Sequence, residues 1–558
     1  MAGDGFKVAI SVCLEGKYCR RFFELASTVL RSPSFFIFLI IVCALLIRMY
    51  FLIGFAGGDP QDDGIYLNIT KEILKKGFYD HNLQRRLVIQ EEIINPIYIF
   101  PSRLVFNYVN ALSFFLFGVN DFTAVLFSLL CSLLGIYFVY RIGSLLFNHR
   151  VGLLSGVFLA IMPLDSIYAT RITPDVPVAF FITLALYLFL KGLKEERGLW
   201  MWAAGVVTGL GYLVKETAMV AVMVMGIWVV ISWIREKKFP KKSFYVVVGL
   251  LLVVVLEGLY YQMVTGYFFL RPQLISKVYK SKYGSEWLPF VAQCDLKWVL
   301  IEYPLNTVLM QLKTLLNFYH HMPELSYFGL FFYPVLLSLL YLPFRKIAGR
   351  GVIITWFLVV YFFVEFGPLE VSFGPDSLIK YGLIEKQPRY LTILIAPSVI
   401  LLSLFLYHVR LPYKKTIAVA VMLVVFLSSY ECVSSTYHYF SGHTRDVREA
   451  TRYLQKLPPK KVYSDWLGLD QIFYYSGFHF NDLRNIEMLA RNPSHDAQGD
   501  AYVVVGGSRG AGVIAIAFEK NYRTLLEKIP EEWIALKTIS GQNDVFRSRD
   551  LTIYYIPQ

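Results

Sequence analysis

Four short stretches of the sequence combine charged and polar side chains that could carry out chemistry. The first is Asp59-Pro-Gln-Asp62-Asp63-Gly-Ile-Tyr66, in which two carboxylates are adjacent. Adjacent carboxylates beside a low-dielectric boundary can act as a general base, bind a divalent cation, or do both. The alternative is that Asp62 caps a helix, because Asp is favoured at helix N-termini.

The second and third stretches place charge beside apolar segments. In Arg171-Ile-Thr-Pro-Asp175 a carboxylate follows a hydrophobic run, where it is costly unless it is paired or hydrated. The alternative is an Arg171–Asp175 ion pair that caps helices. Lys215-Glu216 joins two short apolar runs, which indicates a buried polar site between two half-length helices. Its alternative is a structural salt bridge.

The fourth stretch is Gln387-Pro-Arg389-Tyr390, which immediately precedes an apolar run. An arginine there can bind a phosphate through two parallel hydrogen bonds. The alternative is an interfacial anchor, since Arg and Tyr are common where helices leave the membrane. Arg103 has the same two interpretations: it could bind a phosphate, or it could anchor an interfacial helix.

The apolar composition decides which class of protein positions these residues. Of the 558 residues, 56% are hydrophobic and 17% are charged, whereas about a quarter are charged in soluble domains. Long stretches such as residues 246–256 contain no charged residue. Several of the apolar runs are long enough to cross about 30 Å of hydrocarbon. The net charge of +13 is explained by basic loops on one side of a membrane. Nucleic-acid binding is not expected, because the soluble part has no basic stripe with interleaved aromatic residues.

Eleven transmembrane helices are predicted from the apolar runs. The first, Phe35 to Phe55, follows Lys17, Arg20, Arg21 and Arg31, so residues 1–34 are expected to be a cytoplasmic segment. The other ten are predicted near Thr123–Leu145, Val151–Tyr168, Val176–Leu190, Leu199–Val214, Ala218–Trp233, Phe244–Val264, Phe328–Phe344, Val352–Phe366, Tyr390–Tyr407 and Thr416–Val433.

The charges of the loops predict the orientation of the chain. Every second loop is basic, and these five loops fall on the same side as the N-terminus: they contain His149/Arg150, Lys191/Lys194/Arg197, Arg235/Lys237/Lys238/Lys241/Lys242, Arg345/Lys346/Arg350 and Arg410/Lys414/Lys415. We therefore expect a plasma (inner) membrane protein with a cytoplasmic N-terminus. The long loops, and with them the functional residues, should lie on the extracytoplasmic face.

Two segments outside the spans are predicted to fold. In the loop of residues 56–122, Asp62–Lys76 and Arg103–Phe117 are expected to be helices on the membrane surface. If Arg103–Phe117 spanned the membrane, every later loop would change sides and the charge pattern would break. Residues 441–558 are expected to form a soluble extracytoplasmic α/β domain, with strands at Lys461–Ser464, Ala501–Val505 and Leu551–Ile556.

Six motifs in a fixed order carry a resemblance to a known superfamily. They are Asp62-Asp-Gly-Ile-Tyr66, Ala111-Leu-Ser-Phe-Phe-Leu-Phe-Gly118-Val-Asn120, Leu145-Leu-Phe-Asn-His-Arg150-Val-Gly-Leu-Leu, Ala169-Thr-Arg171-Ile-Thr-Pro-Asp175, Gly209-Leu-Gly-Tyr-Leu-Val-Lys215-Glu-Thr and Pro388-Arg389-Tyr390-Leu. These resemble the motifs of GT-C glycosyltransferases that use polyprenyl-phosphate sugars. The branch of protein O-mannosyltransferases and lipid A aminoarabinose transferases is the closer match. The resemblance covers roughly residues 35–401, and it identifies residues 35–440 as a GT-C-like transmembrane domain.

The sequence departs from the family pattern at two places. The family often has Lys-Pro-Pro before the interfacial helix, near the donor phosphate, where this chain has Pro101-Ser102-Arg103. Arg103 is then the cation expected to meet the phosphate. Lys215 is followed by Glu216, where the family has a glycine.

The resemblance implies an inverting transfer of a sugar, more often a monosaccharide, from a polyprenyl-phosphate donor to an extracytoplasmic acceptor. Asp62, Asp63 and Asp175 are implied to be catalytic: Asp62 removes the acceptor's proton, Asp63 positions the base and Asp175 orients the acceptor or the cations. Because the leaving group is already a phosphate anion, it needs cations and no general acid. The residues implied to bind substrate are Tyr66, Arg103, Arg171, Lys215, Glu216, Arg271, Arg389 and Tyr390.

The implied partners are the lipid-linked donor, a lipid, glycan or protein acceptor, and membrane lipid. No cofactor is implied with certainty, and a divalent cation could bind at Asp62 and Asp63. A transporter or lipid flippase is an alternative, but it predicts inverted repeats and midplane charges, and the sequence has no visible repeat. Transfer of a whole oligosaccharide is another alternative. That family carries Trp-Trp-Asp in its soluble domain, where this chain has Asp465-Trp466.

Overall fold

The structure, a computed structural model, describes most of the helical part of the chain and shorter pieces of the C-terminal part. The described residues are 32–54, 62–78, 81, 103–237, 239–275, 331–366, 368–373, 379–383, 388–409, 416–417, 419–420, 423, 445–464, 472, 475–476, 483–485, 500–506, 529, 531–540 and 550–557. Side chains are included in these ranges except at 53–54, 62–65, 365–383, 388, 483–485 and 506.

The described part of the chain is mostly helical. Its helices are α1 (Pro33–Gly54), α2 (Asp62–Lys76), α3 (Leu104–Phe117), α4 (Asp121–Leu146), α5 (His149–Ala160), α6 (Pro163–Ala169), α7 (Asp175–Glu195), α8 (Gly198–Val214), α9 (Val220–Glu236), α10 (Phe244–Thr265), α11 (Phe332–Tyr341), α12 (Arg350–Phe366), α13 (Thr392–His408) and α14 (445–454). Short 3₁₀ turns precede α9, α10 and α13, at Glu216–Met219, Lys241–Ser243 and Pro388–Leu391, and one follows α11 at Leu342–Phe344.

Six helices are long and apolar enough to cross a membrane, or seven if the bent pair α5 and α6 forms one span. Three more predicted spans coincide with the shorter apolar helices α8, α11 and α12. The eleventh predicted span, Thr416–Val433, lies mostly outside the described residues, as do the segment 1–31 and the loop 276–330. The number eleven therefore stays a prediction.

The third predicted span is broken, with an angle of 60° between α5 and α6. Pro163 begins α6, where a missing backbone N–H costs nothing. The carbonyl of Ala160, at the end of α5, accepts a hydrogen bond from Arg48 of α1 at 3.1 Å. Arg48 also donates to Asp165 of α6 at 2.5 Å and to Ser132 of α4 at 2.7 Å. A buried ion pair thus stabilises the bend, where α5 cannot satisfy its own last carbonyl groups.

Glycines let α8 and α10 approach each other closely. A Cβ atom added to Gly205 would lie 2.0 Å from the carbonyl oxygen of Val246, and one added to Gly249 would lie 2.2 Å from that of Trp202. Larger side chains at either position would separate the helices. This contact fixes α8, whose C-terminal end is followed by Lys215.

The two helices predicted in the first loop are present. Helix α2 has the predicted bounds and ends before Gly77, whose φ of +77° suits glycine. It packs against α3 through Ile69, Ile73 and Ala111. Helix α3 has only 14 residues, so it is short for a span, and Asn120 then caps α4 in a reciprocal capping box with Thr123. That the two helices lie on the membrane surface stays a prediction.

The C-terminal part contains a five-stranded sheet. Its strands are β3 (Lys461–Ser464), β4 (Leu483–Asn485), β5 (Ala501–Gly506), β6 (Ile534–Ile539) and β7 (Leu551–Ile556), in the order β4-β3-β5-β7-β6, while β1 (Pro368–Phe373) and β2 (Ile379–Leu383) form a separate antiparallel pair. Strand β3 is parallel to β4 and β5, and β7 is antiparallel to both of its neighbours. Helix α14 packs on one face through Ala450 and Leu454. Its Arg448 forms a 3.0 Å ion pair with Asp121 at the start of α4.

Candidate active site

The start of α2 packs against the start of α3. Tyr66 is fully buried, and its ring meets that of Phe106 edge to face, with centroids 5.0 Å apart. The guanidinium of Arg103 lies 5.2 Å from the centre of the Tyr66 ring. Asp62 and Asp63 open the same helix one turn earlier, although their side chains lie outside the described residues. The backbone therefore brings the predicted acidic pair and Arg103 to neighbouring helix starts.

A buried ion pair joins two helix ends that are far apart in sequence. Lys215 follows the last residue of α8, and its ammonium group donates to Oδ1 of Asp175, the first residue of α7. Only 1% of Asp175 and 6% of Lys215 are exposed. The other carboxylate oxygen, Oδ2 of Asp175, has no hydrogen-bond partner in the described ranges. The ammonium of Lys215 also lies 4.5 Å from the centre of the Tyr390 ring.

Two further cations surround this pair. The guanidinium of Arg389 lies 5.5 Å from the centre of the same Tyr390 ring. Burial lowers the pKa of Lys215 to about 8; Asp175 opposes that shift, whereas Arg103 and Arg389 add to it. Arg103, Lys215 and Arg389, here called the cationic cluster, thus lie near one another, with Asp175 hydrogen-bonded to Lys215 and Glu216 close enough to Arg103 to interact electrostatically. The three cations outnumber these two described carboxylates. Such an excess of buried positive charge is unfavourable unless an anion joins it.

The 3₁₀ turn before α13 is tied to the start of α7. The hydroxyl of Thr392 lies 2.7 Å from the carbonyl oxygen of Arg389 and 3.3 Å from that of Asp175, within donating distance of both. Because α7 and α13 also pack against each other, Arg389 is held beside the Lys215–Asp175 pair. Hydrogen bonds to backbone carbonyl groups, as well as electrostatic interactions, therefore hold the predicted Arg-Tyr-Leu motif at the site.

Arg271 is engaged by carboxylates. It donates to Glu257 at 2.6 Å, to Glu216 at 2.9 Å and to the carbonyl oxygen of Tyr212 at 2.7 Å. Its guanidinium also stacks over the Tyr212 ring at 4.2 Å. Burial alone would lower the pKa of Arg271, but Glu216 and Glu257 raise it above the ordinary value. Arg271, Glu216 and Glu257, here called the Arg271 cluster, form a hydrogen-bonded group, so this geometry does not favour the predicted contact of Arg271 with a phosphate.

Arg171 lies in the segment between α6 and α7. It is buried, and its guanidinium is 5.7 Å from the centre of the Tyr168 ring. The carboxylate of Asp175 pairs with Lys215, forty residues later in the sequence. The structure therefore brings together Asp175, Lys215, Arg389, Tyr390, Arg103 and Tyr66, with Arg271 and Glu216 next to them.

Sequence reasoning missed several polar residues inside apolar helices. Glu257 is the only acidic residue of α10, and Arg48 is the only charged residue of α1. An ionisable residue within a span indicates a buried partner by default, so both could have been singled out. Asn107 and Asn110 of α3 were likewise detectable as polar residues in an apolar helix.

The described side chains contain no cluster of three His, Cys, Asp or Glu residues that could hold a metal ion. The side chains of Asp62 and Asp63 are not among them. A divalent cation at these two residues stays a prediction.

Comparison with known families identifies the class. The model of the family described as dolichyl-phosphate-mannose-protein mannosyltransferase matches residues 101–261. An uncharacterized protein of Aquifex aeolicus is 24% identical over 226 residues, which are 40% of this chain and 42% of that protein. The match thus spans less than half the length of this relative.

Two kinds of solved structure share the fold. ArnT from Cupriavidus metallidurans in the apo state has a TM-score of 0.56 and 15% identity, over 93% of this chain and 98% of that chain. The same protein bound to undecaprenyl phosphate has a TM-score of 0.54 and 14% identity, over 93% and 99% of the two chains. The oligosaccharyltransferase AglB from Archaeoglobus fulgidus, with an inhibitory peptide and a dolichol-phosphate, has a TM-score of 0.50 and 13% identity, over 93% and 76%.

The matched family and these structures are glycosyltransferases of the GT-C type. The predicted resemblance to that superfamily is therefore confirmed, as is the prediction of an enzyme of this class. At these identities the likeness to solved structures establishes the fold alone.

Proposed function

We propose that this chain transfers a monosaccharide from a polyprenyl-phosphate donor to an acceptor at the extracytoplasmic face of the plasma membrane. The observation that carries the proposal is the cationic cluster, in which Arg103 and Arg389 add positive charge beside the buried Lys215–Asp175 pair. A phosphate adds the negative charge that this cluster needs. ArnT and AglB have been solved with undecaprenyl phosphate and dolichol-phosphate, respectively, which supports a lipid phosphate as that anion.

In this proposal the cationic cluster binds the phosphate of the donor. Arg103 contacts it from the start of α3, Lys215 from the end of α8 and Arg389 from the turn before α13. Asp175 orients the Lys215 ammonium through Oδ1, which leaves Oδ2 to accept a hydrogen bond from a substrate. Tyr66 supports Arg103, and Tyr390 supports Lys215 and Arg389.

The reaction is a single displacement. An acceptor hydroxyl attacks the anomeric carbon, the bond from that carbon to the phosphate oxygen breaks, and polyprenyl phosphate leaves as an anion. The acceptor's proton passes to the Asp62 carboxylate, with Asp63 beside it. Because the attack comes from the face opposite the phosphate, the anomeric configuration inverts.

The proposal includes the orientation of the chain in the membrane. The basic loops put the N-terminus in the cytoplasm, so α2, α3 and the cationic cluster face the outside together with residues 441–558. The transporter or flippase alternative is not favoured, since the matched family and the structural neighbours are glycosyltransferases. Transfer of a whole oligosaccharide is not favoured either.

The test is mass spectrometry of glycolipids and glycoproteins from cells with and without the gene, followed by transfer with the purified chain. Loss of one monosaccharide from one acceptor class, restored by the wild type and by Lys194→Met but not by Lys215→Met, supports the proposal. Lys194 is the matched control, because it is a lysine at the opposite, basic end of α7. An unchanged glycome with an altered flux of small molecules would instead support a transporter. Retention of the donor's anomeric configuration in the product would refute the single displacement.

A further inference from the structure

Helix α3 carries buried amide groups that have no hydrogen-bond partner among the described residues. Asn107 and Asn110 are 1% and 2% exposed. Within the part of the chain that the structure describes, neither the nitrogen nor the oxygen of the Asn107 amide has a hydrogen-bond partner, and the Asn110 nitrogen also lacks one. Buried amides are normally paired, because leaving them unpaired opposes folding. A leucine would fill nearly the same volume without that cost, so these asparagines need another explanation.

The two asparagines continue the face of α3 that begins at Arg103. Spacings of four and three residues put Arg103, Asn107 and Asn110 on one side of the helix. Arg103 is itself buried, and its Nε has no partner. At 1.5 Å per residue, Asn107 lies ~6 Å and Asn110 ~10.5 Å along the helix from Arg103. The opposite side of α3 is apolar and exposed, at Leu112, Phe115 and Leu116.

We propose that Asn107 and Asn110 bind hydroxyl groups of the sugar that is transferred. This inference rests on the proposed function, in which Arg103 binds the donor phosphate. The sugar is bonded to that phosphate, so its hydroxyls extend from Arg103 along the helix. A primary amide both donates and accepts, as a hydroxyl does, and it can engage two neighbouring hydroxyls at once. A lipid chain would leave the amides unpaired, and a phosphate would use only their N–H groups.

The amides then select among donors. A site built to hydrogen-bond a hydroxyl discriminates strongly against an analogue that lacks it, because the buried amide is left unpaired again. Arg103 provides affinity for any polyprenyl phosphate, while Asn107 and Asn110 distinguish the sugars attached to it. The two amides thus form the part of the donor site that recognises the sugar.

The experiment measures dissociation constants of the full-length chain in lipid nanodiscs for undecaprenyl phosphate and its mannosyl, glucosyl and arabinosyl derivatives. The wild type is expected to bind at least one sugar form more tightly than the bare phosphate. Asn107→Leu and Asn110→Leu should each weaken binding of that form about tenfold and leave the affinity for undecaprenyl phosphate unchanged. Ser113→Ala is the control, because the Ser113 hydroxyl already donates to the carbonyl oxygen of Val109 at 3.0 Å.

Thermal unfolding separates this role from a structural one. Removing an unpaired amide should keep or raise the unfolding temperature, so a leucine variant that is more stable yet selects sugars poorly supports the proposal. Leucine variants that unfold earlier and lose both ligands equally would overturn it, and so would unchanged sugar selectivity. A weakened acceptor affinity with unchanged donor binding would also overturn it, since the amides would then read the acceptor. If the wild type bound none of the polyprenyl phosphates, the proposed function itself would fail.

Discussion

Two groups of charge lie side by side at one end of the helices, and they differ in the balance between cations and described carboxylates. In the Arg271 cluster one guanidinium donates to two carboxylates and a backbone carbonyl, so the carboxylates outnumber the cation. In the cationic cluster Lys215 is hydrogen-bonded to Asp175, and Arg103 and Arg389 add positive charge beside this pair. A buried cation that is bound by carboxylates holds structural elements together. Buried cations that outnumber the neighbouring carboxylates favour the binding of an anionic ligand. We therefore expect a structural role for Arg271, although its residue type alone is also suited to binding a phosphate.

The largest expected effect is on stability, in the Arg271 cluster. Arg271→Met leaves Glu216 and Glu257 buried without their cation, which should lower the free energy of unfolding by about 3–5 kcal/mol. Thermal unfolding in detergent measures this change. Replacing Arg271, Glu216 and Glu257 together by apolar residues should recover most of the loss. If Arg271→Met were as stable as the wild type, the contrast between the two clusters would be wrong.

The next effect is on ligand affinity, in the cationic cluster. Lys215→Met removes one charge-assisted hydrogen bond, so it should weaken undecaprenyl phosphate binding by about 1.5–3 kcal/mol. Stability should change less than in Arg271→Met, because the excess positive charge is reduced. Calorimetric titration gives the affinity, with Lys194→Met as the control. Unchanged binding by Lys215→Met would remove Lys215 from the phosphate site.

A smaller effect of opposite sign is expected at Asp175. Asp175→Asn removes the only described carboxylate that competes for the Lys215 ammonium, so the affinity for undecaprenyl phosphate should rise, by about tenfold or less. Sugar transfer should fall, because the ammonium and the acceptor lose their orienting group. Parallel measurements of affinity and turnover separate the two changes. Weaker phosphate binding by Asp175→Asn would indicate that the carboxylate supports the phosphate site.

The smallest effect is a pH dependence. Burial lowers the pKa of Lys215 to about 8, so its ammonium is protonated below pH 8 and neutral above it. Undecaprenyl phosphate affinity should therefore fall several-fold between pH 7 and pH 9. Lys215→Arg should remove this decline, because an arginine stays charged, and it also controls for titration of the phosphate. An identical pH profile in Lys215→Arg would assign the decline to another group.

The packing of segments could be predicted from the sequence more accurately than the pairing of individual side chains. Lys215-Glu216 between two apolar runs indicated a buried polar site, and the site is there, but Lys215 pairs with Asp175 and Glu216 pairs with Arg271. Such partners depend on how α7, α8 and α10 pack, and close glycine contacts fix that packing in a way that charge patterns do not reveal. The break at Pro163 had a sequence signal, the proline itself, which an uninterrupted hydropathy pattern concealed.

The C-terminal sheet illustrates the same limit. The strands predicted at 461–464, 501–505 and 551–556 are within one residue of their observed bounds. Nothing local predicted that β3 lies between β4 and β5, or that β7 lies between β5 and β6. Strand order depends on contacts between residues far apart in the sequence, and single-strand patterns carry no information about it.

The most direct test of the central claim is an experimental structure of the chain with undecaprenyl phosphate bound. The account predicts that the phosphate oxygens lie within hydrogen-bond distance of Lys215, Arg389 and Arg103, while Arg271 still donates to Glu216 and Glu257. A phosphate bound by Arg271, with Lys215 and Arg389 turned away from it, would contradict the account.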